Sequence, residues 1–183
     1  MTTSLITQKK IAKAFKQLLL TKSFDKISVV DIMQQAGIRR QTFYNYFLDK
    51  YELLDWIFET ELEEQITDNL SYINGFKLLE ELLYYIEKNH TFYKQLFDIK
   101  GQNDFVSYLE GYFTILLTKI ITEYQEQVGT SFSEKERDFF IRYHSSAWIG
   151  LIKEGLTTPP YHIHSYWKPM VAIIRCSLSI YRS

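Results

Sequence analysis

The sequence predicts an all-α protein in two parts, an N-terminal three-helix head and a larger C-terminal helical domain. Three observations lead there. Apolar residues recur at i, i+3, i+4 and i+7 along most of the chain, the spacing of a helix face. The 183 residues include only three Pro and seven Gly, so little interrupts those runs. Capping sequences and glycines fall between the runs, where a helix must begin or stop.

In the first run Ile11, Ala14, Phe15, Leu18 and Leu19 share one stripe, and Lys9, Lys10, Lys13 and Lys16 fall outside it. Thr7 is placed to cap this helix, which should end near Lys22-Ser23, with Phe24 and Ile27 following as apolar plugs. Ser28 opens a short helix. Asp31, three residues on, completes a capping box in which each side chain accepts the other's backbone N–H. Val30, Ile32, Met33 and Ala36 supply its apolar contacts. Gly37 ends it, since the residue after the last turn commonly takes a positive φ that a Cβ disfavours. Ile38 plugs the turn, and Arg39 to Phe47 form a second short helix with Phe43 and Phe47 facing inward.

Asp49 can cap a longer helix through Leu53, Leu54, Trp56, Ile57, Leu62 and Ile66 to about Asn69. Residues 1–50 are therefore expected to form the head, 50–69 a connecting helix and 70–183 a regulatory and dimerisation domain. Beyond Asn74-Gly75, a helix from Phe76 to about Asn89 turns Leu78, Leu79, Leu82, Leu83 and Ile86 inward. A short helix, Thr91 to Phe97, precedes the polar break Lys100-Gly101-Gln102-Asn103. Asp104 then starts a helix that runs to about Gln127 and is ended by Gly129. Ser133 with Glu136 forms a second capping box for a helix reaching Leu156. After Pro159-Pro160 a last helix runs from about Ser165 to Tyr181.

The net charge of −1 conceals a division. Residues 1–50 hold nine basic and three acidic side chains, a net +6; the remainder holds twelve and nineteen, a net −7. A basic head on an acidic body points to a polyanion partner for the head. Other chemistries find little support. A single cysteine, Cys176, allows no internal disulfide and no cysteine zinc cluster, and its apolar surroundings predict a buried thiol. His162 and His164 have no third ligand in view, so no metal is expected. No nucleophile motif, phosphate loop or paired catalytic constellation appears; an enzyme is not expected, nor a cofactor. Neither a secretory signal nor an apolar run of spanning length is found, which predicts a cytoplasmic protein without a membrane partner.

Two short helices joined by a Gly-containing turn, after a longer supporting helix, match the helix-turn-helix pattern. The outer face of the second reads Arg39, Arg40, Gln41, Thr42, Tyr44, Asn45 and Tyr46, without an acid. Arg39 or Arg40 can pair with guanine O6 and N7, and Gln41 or Asn45 with adenine. Tyr44, Tyr46 and Lys50 are expected at phosphates. Thr7 and Ser28 stand where helix starts can also meet phosphate. The expected partner is a double-stranded DNA operator.

The string Gly37, Ile38, Phe43, Tyr44, Phe47, Lys50 and Leu53, with Ile27-Ser28-Val29-Val30-Asp31-Ile32 before it, resembles the head of the TetR family of transcription regulators. The likeness covers about residues 7–57 and keeps every spacing. It departs at Arg39, where the family usually places a capping Ser or Thr. Arg39 cannot accept a backbone N–H, a loss worth about 1 kcal/mol unless another group compensates.

The acidic aromatic body and the tail Ala172-Ile173-Ile174-Arg175-Cys176-Ser177-Leu178 resemble the subgroup that controls dihydroxyacetone kinase operons. That resemblance implies an activator answering to a kinase-subunit-like coregulator. Many family members instead are repressors released by a small effector in the body. Tyr84, Phe92, Tyr108, Tyr112, Tyr143, Trp148 and Trp167 could serve such a pocket or a partner surface, though their spacing suits plain core packing equally. The last two long helices are apolar over more than one face, which predicts a homodimer. A helical adaptor with incidental DNA affinity is the competing reading, and the head alone does not separate repressor from activator.

The charge division makes a direct prediction. Binding to duplex DNA should weaken steeply with salt, by about 0.9 in log–log slope for each phosphate neutralised. A slope of zero in a salt titration would mean that the basic head is not the contact surface.

Overall fold

The structure, a computed structural model, describes residues 3–65, 69–99 and 105–181. The described residues form α1 (Thr3–Leu19), α2 (Val29–Ala36), α3 (Lys50–Gln65), α4 (Gly75–Lys88), α5 (His90–Asp98), α6 (Phe105–Val128), α7 (Glu134–Thr157) and α8 (Trp167–Ser179). Short 3-10 turns lie at Phe24–Lys26, Arg40–Asn45 and Ile163–Tyr166, and no described residue is in a strand. The fold is all-α, as the periodicity predicts. The chain packs as two compact units, Met1–Thr60 with Thr91–Phe105, and Glu61–His90 with Val106–Ser183.

In the first unit α1 packs on α2, and α2 on the 3-10 turn that follows it. Ile11, Phe15, Leu19, Phe24, Ile27, Ile32, Met33, Phe43, Phe47 and Leu53 are buried. An aromatic cluster adds to this core: the Phe58 ring stacks on Phe105 at 4.8 Å, with Phe92 and Tyr93 against it. Two local expectations are corrected. α1 begins at Thr3, so Thr7 lies inside the helix and does not cap it; no Gly or Pro stands before Thr7 to stop the helix extending back. Val30 is exposed. At about 100° per residue, position 30 falls on the side of α2 away from Ile32 and Ala36.

In the second unit the Asn74 side chain caps α4, accepting the Lys77 N–H at 2.9 Å. Leu78, Leu79, Leu82, Leu83 and Ile86 are all buried, as expected. Gly129 closes α6 at φ 73°, and Ser133 and Glu136 form the expected box at the start of α7. α7 buries His144 beside Phe140 and Trp148. Burial pushes that imidazole down to about 4, so it is neutral at pH 7. α4 packs on α8 and on the 3-10 turn that precedes it. α8 buries Met170, Val171, Ile174 and Leu178, whereas Cys176 is exposed. The buried thiol expected there is corrected by helix geometry: Cys176 is two positions from both Ile174 and Leu178, on the far side. Ile66, Asp104 and the break at 100–103 lie outside the described residues.

Gly75 has a packing reason. A Cβ there would stand 2.5 Å from Ile120 Cγ1 and 3.2 Å from the Ile120 backbone nitrogen, so α4 begins pressed against α6. Gly75→Ala should therefore destabilise the protein by about 1–3 kcal/mol, the usual penalty for overpacking. Gly111→Ala, which meets nothing within 4 Å, should be neutral or stabilising. Denaturant unfolding of the two variants checks the contrast.

Candidate nucleic-acid interface

The helix-turn-helix is built from local interactions that the sequence encodes. The Ser28 N–H donates to Asp31 Oδ2 at 2.9 Å and the Asp31 N–H to Ser28 Oγ at 3.2 Å, completing the expected box. The Ser28 hydroxyl and the Ser28 N–H both donate to Asp31 Oδ2 and, joined by the Lys22 ammonium at 3.0 Å, hold the Asp31 carboxyl well below the usual carboxylate range. Gly37 ends α2 at φ 63°, donating to the carbonyls of Met33 and Gln34, and the Ile38 N–H returns to Met33 at 3.0 Å. The chain thus reverses within one left-handed residue.

The segment after the turn is a 3-10 helix, Arg40–Asn45, in place of the expected α-helix from Arg39 to Phe47. Arg39 occupies the N-cap position and makes no side-chain cap bond. Its carbonyl instead accepts the Thr42 N–H at 3.0 Å, an i+3 closure that satisfies a first-turn donor without a capping side chain. Phe43 and Phe47 point into the core, with Phe47 against Trp56 at 5.8 Å. Arg39, Arg40, Gln41, Tyr44 and Asn45 are exposed, and Thr42 and Tyr46 half-buried. Arg40 Nη2 donates to the Tyr44 hydroxyl at 3.3 Å and its guanidinium lies 5.8 Å from that ring. The pair presents a cation and an aromatic edge together.

Lys50 stands elsewhere than expected. Its ammonium donates to the backbone carbonyls of Phe24 at 2.9 Å, Ile27 at 3.0 Å and Asp25 at 3.3 Å, and lies 4.4 Å from the Phe24 ring centroid. An ammonium has three hydrogens, and all three are committed. Desolvation in this pocket lowers its pKa from the ordinary lysine value, against the opposing charges of Asp25 and Asp49. The phosphate role expected of Lys50 is therefore corrected: it closes the turn between α1 and α2. Lys22 is ion-paired with Asp31, and Lys16 lies 4.8 Å from the centroid of the Phe92 ring. The exposed cations of the head are then Lys9, Lys10, Lys13, Lys26, Arg39 and Arg40, with the paired Lys22.

A residue that sequence reasoning missed grips the same turn. Gln95, on α5, accepts the Phe24 N–H at 3.0 Å and donates to the carbonyls of Leu19 and of Lys22, the latter at 3.3 Å. It lies 71 residues from Phe24 in the chain, and no motif marks it.

The candidate effector aromatics stand in different settings. Phe92 is core in the first unit, and Trp148 is core in the second, edge-on to Phe113 at 5.2 Å. Both are therefore withdrawn from any surface role, because neither ring reaches solvent. Tyr84 and Tyr143 are exposed, and Tyr108 and Tyr112 half-buried. Of the seven, Trp167 lines the groove of about 690 Å³ in the second unit, with Phe76, Lys77, Glu123 and Arg175 among its other walls.

A family model described as bacterial regulatory proteins, tetR family, matches residues 11–57, and one described as a transcriptional regulator C-terminal region matches residues 74–159. The chain is 41% identical over 157 residues to the HTH-type dhaKLM operon transcriptional activator DhaS of Lactococcus lactis, covering 84% of this chain and 81% of that protein. The chain belongs to the TetR family. It is a TetR-type transcription regulator, and regulators of this kind bind DNA, typically as dimers. The solved structure of a dihydroxyacetone kinase operon activator DhaS matches with a TM-score of 0.87 and 36% identity, covering 98% of this chain and 99% of that one. A TetR transcriptional regulator from Streptococcus agalactiae matches over 98% and 96% with a TM-score of 0.61 at 18% identity, a likeness of fold alone. No helix among the described residues is long and apolar enough to cross a membrane.

The inward Lys50 changes what its removal should do. Lys50→Met should destabilise the protein by about 1–3 kcal/mol, because part-buried carbonyls lose their donor. It should leave the salt slope of DNA binding unchanged, whereas loss of a phosphate contact would flatten it by about 0.9. Thermal unfolding together with a salt titration of the variant checks both halves.

Proposed function

We propose that this TetR-family chain activates transcription of a dihydroxyacetone kinase operon, binding its operator as a homodimer and answering to a kinase-subunit-like protein coregulator. The observation that carries this reading is the 41% identity to an activator of a dhaKLM operon, extending over both the head and the body. Arg39, Arg40, Gln41, Thr42, Tyr44, Asn45 and Tyr46 are the proposed DNA contacts, with Ser28 at the start of α2. Arginine against guanine and Gln or Asn against adenine would read bases, while the tyrosines fix register on phosphates.

The proposed dimer uses the outer faces of α7 and α8. Phe139 is 65% exposed and stacks on the exposed Tyr143 at 6.0 Å, while Ile173 is 55% and Ile180 77% exposed. Large apolar groups in that number on two helices favour burial against a symmetry mate. Two-fold symmetry would place the recognition segments about 34–36 Å apart, one DNA turn, or near a multiple of it. A protein coregulator is supported by the acidic body and by Tyr84, an exposed aromatic of the kind that anchors interfaces. A second reading, a repressor released by a small aromatic or apolar effector, has in its favour the groove beside Phe76 and Trp167.

Competition binding tests the proposal, using duplex DNA from upstream of dihydroxyacetone kinase genes and of the genes that neighbour the chain's own. Two chains should bind each site, at least about 10³-fold tighter than random sequence. Calorimetry with dihydroxyacetone alone at millimolar concentration should give no binding heat. Equal affinity for all sequences would overturn the operator reading, and saturable binding of the free metabolite would overturn the coregulator.

A further inference from the structure

We propose that Gln95 is a positioning residue for DNA binding, which fixes from α5 the turn between α1 and α2 and thereby the attitude of the helix-turn-helix. The proposal rests on the DNA-binding reading above. Leu19 is the last residue of α1, so its carbonyl is among those a helix leaves without an internal partner. Phe24 opens the 3-10 turn, and Ser23 before it makes no side-chain cap bond. Gln95 serves both ends at once, since a primary amide carries an acceptor and two donors. Its carbonyl takes the Phe24 N–H, and its amino group supplies Leu19 and Lys22.

The turn it holds is the one whose carbonyls receive Lys50, the first residue of α3. Displacement of the turn would loosen Lys50 and, through it, the end of the recognition segment that runs into α3. A cavity of about 360 Å³, lined in part by Leu20, Ser23, Thr91, Asp98 and Ile99, lies against the same turn. On that open side the Gln95 amide bonds the turn, while from within the Phe24 ring is held by Phe15 and Tyr51. Both amide hydrogens and the carbonyl of Gln95 are engaged within the protein, so its effect on DNA is exerted through the turn.

The test compares the wild type with Gln95→Leu and Gln95→Glu in operator binding between pH 5 and 8. Gln95→Leu should bind about tenfold more weakly, the equivalent of one or two lost hydrogen bonds to part-buried groups. Gln95→Glu keeps the acceptor for Phe24 but sets a carboxylate against two carbonyls, so it should be equally weak at pH 8. The facing carbonyls disfavour the charged form and push that carboxyl up, so near pH 5 protonation returns one O–H donor, and binding should recover to within about threefold of the wild type. Lys22, Asp25, Asp98 and the nearby Asp31 are common to all three proteins, so the wild-type profile accounts for them. Wild-type affinity in Gln95→Leu, or a Gln95→Glu profile parallel to the wild type, would overturn the proposal. Hydrogen exchange in the unsubstituted protein decides independently of how the variants fold: the Phe24 amide should be protected, and exchange at the rate of an open loop would sink the clasp. A wild-type chain without operator preference instead sinks the DNA-binding reading, and the Phe24 amide still judges the clasp.

Discussion

The segment from Leu19 to Ile27 buries Leu19, Phe24 and Ile27 in the core, and two polar side chains from distant parts of the sequence bond the backbone between them. Lys50 directs three N–H bonds into the carbonyls of Phe24, Asp25 and Ile27, while Gln95 takes the Phe24 N–H and the carbonyls of Leu19 and Lys22. Phe24 is the centre of both: its ring lies under the Lys50 ammonium and edge-on to Tyr51 at 4.9 Å. The 3-10 turn satisfies only part of its backbone itself, through the Lys26 N–H to Ser23 and the Ile27 N–H to Phe24, and burying the rest unpaired is expensive. The orientation of α1 against α2 depends on this arrangement, and with it the surface that the second half of the helix-turn-helix presents.

That surface is polar because the inward positions are few and aromatic. Phe43 and Phe47 anchor the 3-10 segment, and the chain between them turns Tyr44 and Asn45 outward. Arg39 in place of a capping hydroxyl coincides with the tighter 3-10 closure, leaving its guanidinium exposed. The aromatic excess of the chain has a structural outlet as well. Phe58, Phe92, Tyr93 and Phe105 fill the first unit, and Phe113, Phe140 and Trp148 the second. Rings in offset or edge contact stabilise a core by about 0.5–1.5 kcal/mol per pair beyond their buried area.

The second unit combines a conventional core with unsatisfied outer faces. α4 is amphipathic and buries one leucine-rich stripe. α7 and α8 each bury a stripe and also carry Phe139, Tyr143 and Ile173 outward, with the exposed Ile180 just past the end of α8. Cys176 shares this exposed side of α8.

The sequence alone determined most of the helices, though not the 3-10 form of Arg40–Asn45, because their signals are local: 3.6-residue periodicity, the boxes at Ser28–Asp31 and Ser133–Glu136, the cap at Asp49, and the glycines at 37 and 129 with positive φ. It also determined the polar face of the recognition segment, since Phe43 and Phe47 at i and i+4 dictate which neighbours face away. What it left open depends on groups far apart in the chain. The periodicity marks Phe92 and Trp148 as apolar without saying that their rings are sealed in cores. Lysine at position 50 reads as a solvent-facing cation until the carbonyls of Phe24, Asp25 and Ile27 are seen around it. Gln95 carries no signal at all, because a glutamine on a helix is polar in any sequence pattern. Only the tertiary structure, by bringing α5 against a turn 71 residues away, decides that its amide has backbone partners instead of water.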